Sequence, residues 1–227
     1  MQDDSQPGLF PTILASSVHD IKNALTTLLE SVRQLRQKPS LGEDADLQQL
    51  ELEAVRIHQS LMQLLVMYKV DNQSFTLMVD EYPAIELLQE ACAQQQSLLD
   101  LSRLQLAIEC ADDLVCYCDF QHVSHVLASM LNNALRHGRH RVLMSAYEHE
   151  GYCVFAIEDD GQGYPQALLI EDWRQPLQAD WASHRTGLGL FFAAMIARLH
   201  KNAHRQGSII LDNQSRLGGA RFRMLLP

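Results

Sequence analysis

No apolar run in this sequence approaches the roughly 20 residues a membrane helix requires, so no membrane segment is expected in this chain. Basic side chains are in short supply. Lys and Arg number 18 against 28 Asp and Glu, and the net charge is −10. An acidic chain with no basic stripe is a poor match for a nucleic acid, and no such partner is expected. Residues 1–6 are polar and acidic and lack the features of a secretory signal. A cytoplasmic location is the expectation that follows. The five cysteines, Cys92, Cys110, Cys116, Cys118 and Cys153, are an odd and scattered set, which argues against a disulfide framework. Cys116 and Cys118 precede His122 and His125, but this spacing fits no compact zinc motif. They read instead as a strand edge leading into a helix start. Internal repeats and low-complexity segments are absent too. What remains is a chain of 227 residues with 47% hydrophobic content, enough for two small domains or one larger one.

The first third carries helical periodicity. Val18, Ile21, Leu25, Leu28, Val32 and Leu35 step by three and four, the pattern of a heptad seam. Pro39, Ser40 and Gly42 break it, and a second seam runs through Leu47, Leu50, Ala54, Ile57, Leu61, Leu64 and Tyr68. Two seamed helices joined by a short loop make an antiparallel hairpin. Leu29, Met62, Leu65 and Val66 widen the stripes beyond what one hairpin covers. A homodimeric four-helix bundle is therefore expected, the alternative being a hairpin packed on its own chain.

The pattern changes near Asp71. Residues 75–79 suggest a strand, 83–101 a helix with Pro83 in its first turn, and 104–109 and 114–118 two further strands. Asp119 is placed to cap a helix reaching His137. Residues 141–149 and 152–158 read as strands turning at Glu150 and Gly151, residues 163–186 as irregular, and 188–200 as a helix. Residues 209–212 and 220–226 close the chain as strands around Gly218 and Gly219. The fold class is α+β: a helical hairpin over residues 1–71, then an α/β sandwich over residues 72–227.

Four short runs carry chemistry. In Val18-His19-Asp20-Ile21-Lys22-Asn23, His19 follows a seam residue and so points toward water, where a neutral imidazole is a phosphoryl acceptor. Asp20 can engage its other ring nitrogen, and Asn23 lies one turn on along the same face. In Ser129-Met130-Leu131-Asn132-Asn133-Ala134-Leu135-Arg136-His137, a carboxamide oxygen can serve Mg2+ and Arg136 can face phosphate. Asp159-Asp160-Gly161-Gln162-Gly163 follows a strand, so a carboxylate there can accept from an adenine amino group while glycines allow close backbone approach. Thr186-Gly187-Leu188-Gly189 opens a helix, whose free N–H groups suit an anion. Taken singly, each run also fits a plain structural role: a solvated helix face, a helix end with Gly138 as its cap, an Asp-Gly turn, a helix start capped by Thr186.

In this order and at these separations the runs resemble the H, N, G1 and G2 boxes of the sensor histidine kinases. These pair a phosphoacceptor hairpin with an ATP-binding domain of the type shared with gyrase, the Hsp90 chaperones and MutL. The resemblance spans roughly residues 10–227. It implies an ATP-dependent protein histidine kinase in which His19 is phosphorylated, Asp20 is the general base, and Asn23 orients a water when the partner is dephosphorylated. It further implies that Asn133 binds Mg2+ and Asp159 the adenine amino group. Arg136, His137, Gly161, Gly163, Thr186, Gly187, Leu188 and Gly189 complete the ATP site, under a lid formed by residues 164–185. The implied partner is a response-regulator receiver domain, docking near Leu29, Val32 and Arg33. With no sensor domain visible, either the chain is an excised core or a separate sensor protein supplies the signal.

The sequence also departs from that family. Ala24 stands where many relatives have Pro, Ser129 where a second Asn is common, and Arg185 where a further Gly is usual. Trp173 and Trp181 occupy a lid without the Phe-rich box. A catalytically weak phosphotransferase or phosphatase, or a dimeric scaffold with a degenerate nucleotide domain, is the alternative reading. An ATP hydrolase of the gyrase or MutL kind is disfavoured, because those proteins carry a Glu where this chain has Ser129.

Overall fold

The computed structural model describes residues 21, 26–28, 30–32, 34–35, 45–102, 104–170 and 188–227. His19, Asp20, Asn23 and Ala24 lie outside the described residues, as do the break at Pro39, Trp173, Trp181, Arg185, Thr186 and Gly187. The chain divides into two units, residues 1–75 and 76–227.

In the first unit the described residues between 21 and 35 are helical, and a long helix α1 spans Ala45–Asp71. It ends where Gln73 takes a positive φ of 54° and Ser74 N–H closes back on the Lys69 carbonyl at 2.9 Å. The seam residues do not share one fate. Val32 and Ala54 are buried, as is Val66 of the widened stripe, whereas Ile21, Leu28 and Leu35, and Leu50, Ile57 and Leu64, are 37% to 53% exposed. Both exposed rows advance by seven residues, the repeat that a supercoiled partner helix matches. Val32 is 2% exposed and so offers no surface to a receiver domain, while Leu29 and Arg33 of the expected docking surface lie outside the described residues.

The second unit opens with β1 (Asp80–Pro83), not with a strand over residues 75–79. Met78 N–H is instead taken by the Asp119 carboxylate at 2.9 Å, and β1 pairs antiparallel with β3 (Val115–Cys118) in a two-stranded ribbon. Pro83 ends that edge strand, at φ −56° and ψ 126°, rather than entering the helix. The helix expected over residues 83–101 is broken at Gln95 into α2 (Ala84–Gln94) and α3 (Gln96–Leu101). Gln95 is 4% exposed, and its amide oxygen accepts from Asn132 at 3.2 Å. That long-range tie is invisible in local periodicity.

A five-stranded sheet follows the order β2-β4-β5-β9-β8, with β2 (Gln105–Cys110) parallel to β4 (Arg141–His149) and the other pairs antiparallel. β4 turns into β5 (Tyr152–Asp159) through Glu150 and Gly151, both at positive φ, the two-residue turn that matches strand twist. β8 (Ser208–Asp212) and β9 (Arg221–Leu226) complete the sheet. α2, α4 (Phe120–His137) and α6 (Leu188–Leu199) form the helical layer. α4 lies between the other two and buries nine residues, among them Leu127 and Leu131. Two elements had no local signal: the short helix α5 (Gln166–Leu169) and the hairpin β6 (Lys201–Asn202) with β7 (Arg205–Gln206). The Arg205 guanidinium anchors that hairpin by donating to the Gly151 carbonyl at 2.8 Å.

A polar knot joins the start of the unit to the helical layer. Asp119 caps α4 by accepting from His122 N–H at 3.1 Å and pairs with the His122 ring at 2.8 Å. Asp119 N–H donates to Nε2 of buried His200 at 3.0 Å, while His200 Nδ1–H donates to the Ile196 carbonyl at 2.8 Å. This arrangement holds His200 neutral. Burial pushes its pKa down, against weaker opposing contributions from Ile196 and Asp119. Burial also pushes the Asp119 carboxyl up, but the His122 ring and the N–H groups of Met78 and His122 outweigh it and bring its pKa to about 2.

Both shifts have the same consequence. A His depressed on folding stabilises the fold above its unfolded value of about 6.5, and that contribution fades as pH falls below it. The Asp119 contribution is lost only as pH falls from about 3.9 through the folded value. The melting temperature is thus expected to drop between pH 7.5 and pH 5, and the drop should shrink in His200→Gln. An equal pH slope in both proteins, followed by circular dichroism, contradicts this assignment.

Candidate nucleotide site

Asp159 is the last residue of β5 and is 5% exposed. Its backbone N–H donates to the Ala220 carbonyl at 3.0 Å, and its carbonyl accepts from Gly219 N–H at 3.0 Å and Ser215 Oγ at 2.9 Å. Oδ1 accepts from Gly161 N–H at 2.8 Å and Ala220 N–H at 3.2 Å. The second carboxylate oxygen, Oδ2, takes no hydrogen bond among the described residues. An accessible acceptor atom on an otherwise buried carboxylate suits an external N–H donor.

Glycine is required around it for space. A Cβ on Gly161 would stand 2.2 Å from the His137 carbonyl oxygen, and one on Gly219 would stand 2.5 Å from Asp159 Oδ1. Gly163 sits at φ 82°, where the chain turns and Asn213 clasps Tyr164 through its N–H at 2.6 Å and its carbonyl at 3.0 Å. Asp160 accepts from the N–H groups of Arg139 at 2.8 Å and His140 at 3.0 Å, and so ties the turn to the end of α4. Burial raises its pKa, but the backbone N–H groups of His140, Arg139 and Arg141 prevail and hold the carboxyl well below the usual range.

α4 runs from this turn toward the start of α6. A Cβ on Gly189 would meet Ser129 Oγ at 3.0 Å and Met130 Cε at 3.4 Å, so the first turn of α6 packs on α4. Ser129, Asn133, Arg136 and His137 succeed one another at helical spacing on one face of α4. Asn133 is half-buried, Arg136 and His137 are exposed, and none of the three makes an ion pair or side-chain hydrogen bond among the described residues. Asn132 instead faces α2 and α3 through Gln95. From Ser129 to His137 the helix rises about 12 Å.

The structure thus brings together Leu188 and Gly189 at one end, Asn133, Arg136 and His137 along the middle, and Asp159, Gly161 and Gly163 at the other. The sequence reading quoted Asp160 and Gly219 without giving them a part in the Asp159 turn, and it missed Asn213, Ser215 and Ala220 there. For the 213–220 part of the turn the pair Gly218 and Gly219 was the local signal, and it read as a break between strands. Among the described residues no group of three His, Cys, Asp or Glu is arranged to hold a metal ion. An ion held through Asn133 would draw the rest of its oxygen shell from phosphates and water, as magnesium commonly does.

Residues 118–227 match the family of histidine kinase-, DNA gyrase B- and HSP90-like ATPases. The chain is 27% identical over 192 residues to the sensor histidine kinase YkoH of Bacillus subtilis, covering 80% of this chain and 41% of that protein. It is 26% identical over 216 residues to the alginate biosynthesis sensor protein KinB of Pseudomonas aeruginosa, covering 92% of this chain and 35% of that protein. The solved histidine kinase AdeS of Acinetobacter baumannii shares the fold at TM-score 0.59 and 22% identity, covering 92% of this chain and 96% of that one. The chain spans less than half the length of YkoH and KinB. Residues 118–227 therefore form an ATPase domain of the histidine kinase, gyrase B and HSP90 class. Within that class, the similar proteins YkoH and AdeS are histidine kinases.

The steric limit at Gly161 yields a direct check. Gly161→Ala should weaken binding of Mg2+-ATP by about tenfold or more while leaving the sheet folded, because the turn must move away from the His137 carbonyl. Unchanged affinity by calorimetry contradicts the geometry described.

Proposed function

We propose that this chain moves the γ-phosphate of ATP onto His19 and then passes it to the aspartate of a response-regulator receiver domain. The observation that carries the reading is the open Oδ2 of Asp159, which faces a site whose other end is the glycine-bearing start of α6. Adenine's amino group donates to Asp159. The first turn of α6, which holds Gly189, offers its backbone N–H groups to the triphosphate, and Gly187 is assigned to the same task. Arg136 adds positive charge along the way. Asn133 contributes an oxygen to Mg2+, which neutralises phosphate charge when bound. His137 and Thr186 border the site.

The protein's contribution is positioning and charge neutralisation. The His19 imidazole attacks the γ-phosphorus in line and ADP leaves. Asp20, as general base, takes the proton released from the other ring nitrogen. Asn23 serves the reverse task, orienting a water to hydrolyse the phosphorylated partner. Ser129 packs on Gly189 and supplies no carboxylate to activate water, which disfavours simple ATP hydrolysis.

Residues 1–71 act as the dimerisation and phosphotransfer hairpin and residues 72–227 as the ATP-binding domain. The exposed rows Ile21, Leu28, Leu35 and Leu50, Ile57, Leu64 support a homodimer, because a second copy covers a seven-residue repeat of large apolar side chains. A cytoplasmic location fits ATP as the phosphoryl donor.

Incubation with γ-labelled ATP and Mg2+ should give acid-labile, alkali-stable label, lost in His19→Ala with ATP affinity unchanged. Label at wild-type level on that variant refutes the acceptor assignment. Ile57→Lys should convert the dimer to a monomer by light scattering, and an unchanged mass contradicts the bundle.

A further inference from the structure

Strand alternation places Asp159 on the helix side of the sheet and Glu158 on the opposite side. The side chain of Glu158 is 3% exposed and would be a costly buried charge if alone. It is not alone. Arg216 meets it twice, with its backbone N–H on Oε2 at 2.6 Å and its Nε on Oε1 at 2.9 Å. The same guanidinium reaches across to Glu109 on the edge strand β2, with Nη1 on Oε2 at 2.8 Å. Arg216 belongs to the 213–220 loop between β8 and β9. That loop also supplies Ser215 Oγ, Gly219 N–H and Ala220 N–H to Asp159 on the other face. Leu217 N–H closes on Ser215 Oγ at 3.0 Å and keeps the segment tight.

We propose that Arg216 is a positioning residue for nucleotide selectivity: clamped by Glu158 and Glu109, it holds the 213–220 loop against the Asp159 turn so that Oδ1 is saturated by backbone N–H groups and Oδ2 alone is presented to the adenine amino group. This inference rests on the proposed role of Asp159. Two neighbouring residues of β5 then share one loop as their support. Glu158 fixes the loop from behind the sheet, and the loop fixes the Asp159 carboxylate in front of it. If the Arg216 fork is lost, Ala220 N–H drifts from Oδ1 and the carboxylate is free to rotate. The exocyclic position is then read less sharply, while the triphosphate end of the site, at the start of α6, is untouched.

The test uses the whole chain with Mg2+ and compares ATP with inosine triphosphate, which carries a carbonyl oxygen in place of the amino group. A hydrogen bond to a charged acceptor predicts that wild type prefers ATP by about 10- to 100-fold. In Arg216→Gln this ratio should fall by about fivefold or more, with affinity for inorganic tripolyphosphate unchanged. Arg216→Lys retains the charge without the planar fork and should recover part of the ratio. It decides the matter if the Gln variant fails to fold. Arg221→Gln, which disturbs the Asp212 pair on the same strand region, should leave the ratio at the wild-type value. Wild type binding both nucleotides equally refutes the adenine role of Asp159, and this inference with it. A wild-type preference that survives in Arg216→Gln refutes the role of Arg216 alone. An equal loss for both nucleotides and for tripolyphosphate shows a purely structural residue and also overturns the proposal.

Discussion

A carboxylate sunk at the end of a central strand, with one oxygen committed and the other open, is the constraint around which the second unit is organised. Placing Asp159 there requires donors for Oδ1 within a crowded turn, and those donors are backbone N–H groups of Gly161 and Ala220. A Cβ at position 161 would collide with the His137 carbonyl oxygen and one at position 219 with Asp159 Oδ1, which is why glycine occupies both. The turn is then fixed from outside: by Asp160 to the end of α4, by Asn213 to Tyr164, and by Ser215 to the Asp159 carbonyl. These bonds make the geometry of the open oxygen a property of the fold rather than of one rotamer.

α4 translates that local constraint into a site. Its N-terminus is capped by Asp119, its buried face carries Leu127 and Leu131 in the core, and its polar face carries Asn133, Arg136 and His137. One end of the helix meets the Asp159 turn through the His137 carbonyl, and the region of Ser129 meets Gly189 at the start of α6. A rigid helix thereby sets the distance between the Asp159 turn and the start of α6. Burial of its apolar face, at about 25 cal/mol per Å² of surface removed from water, supplies the stability that holds the polar groups of the other face in place.

Local chemistry was legible in the sequence and long-range ties were not. Asp119 announced a capped helix, and residues 120–137 form it. Glu150 and Gly151 announced a tight hairpin, and both stand at positive φ. The heptad steps separated buried from exposed seam residues only in part, since periodicity places a residue on a face but does not say what covers that face. The break at Gln95 comes from an amide contact with Asn132, far along the chain. β1 is displaced from residues 75–79 because Asp119 captures Met78 N–H. Gly219 read as a loop residue and Ala220 as the start of the closing strand, although their N–H groups complete the Asp159 turn. In each case the deciding partner lies dozens of residues away, where no window of sequence can reveal it.

The most direct test is a crystal structure of the chain with ADP and Mg2+. The account predicts the adenine amino nitrogen within about 3 Å of Asp159 Oδ2, with the phosphates directed along α4 past Asn133 toward Gly189. A base seated at the α6 end, or a nucleotide bound away from α4 altogether, contradicts it.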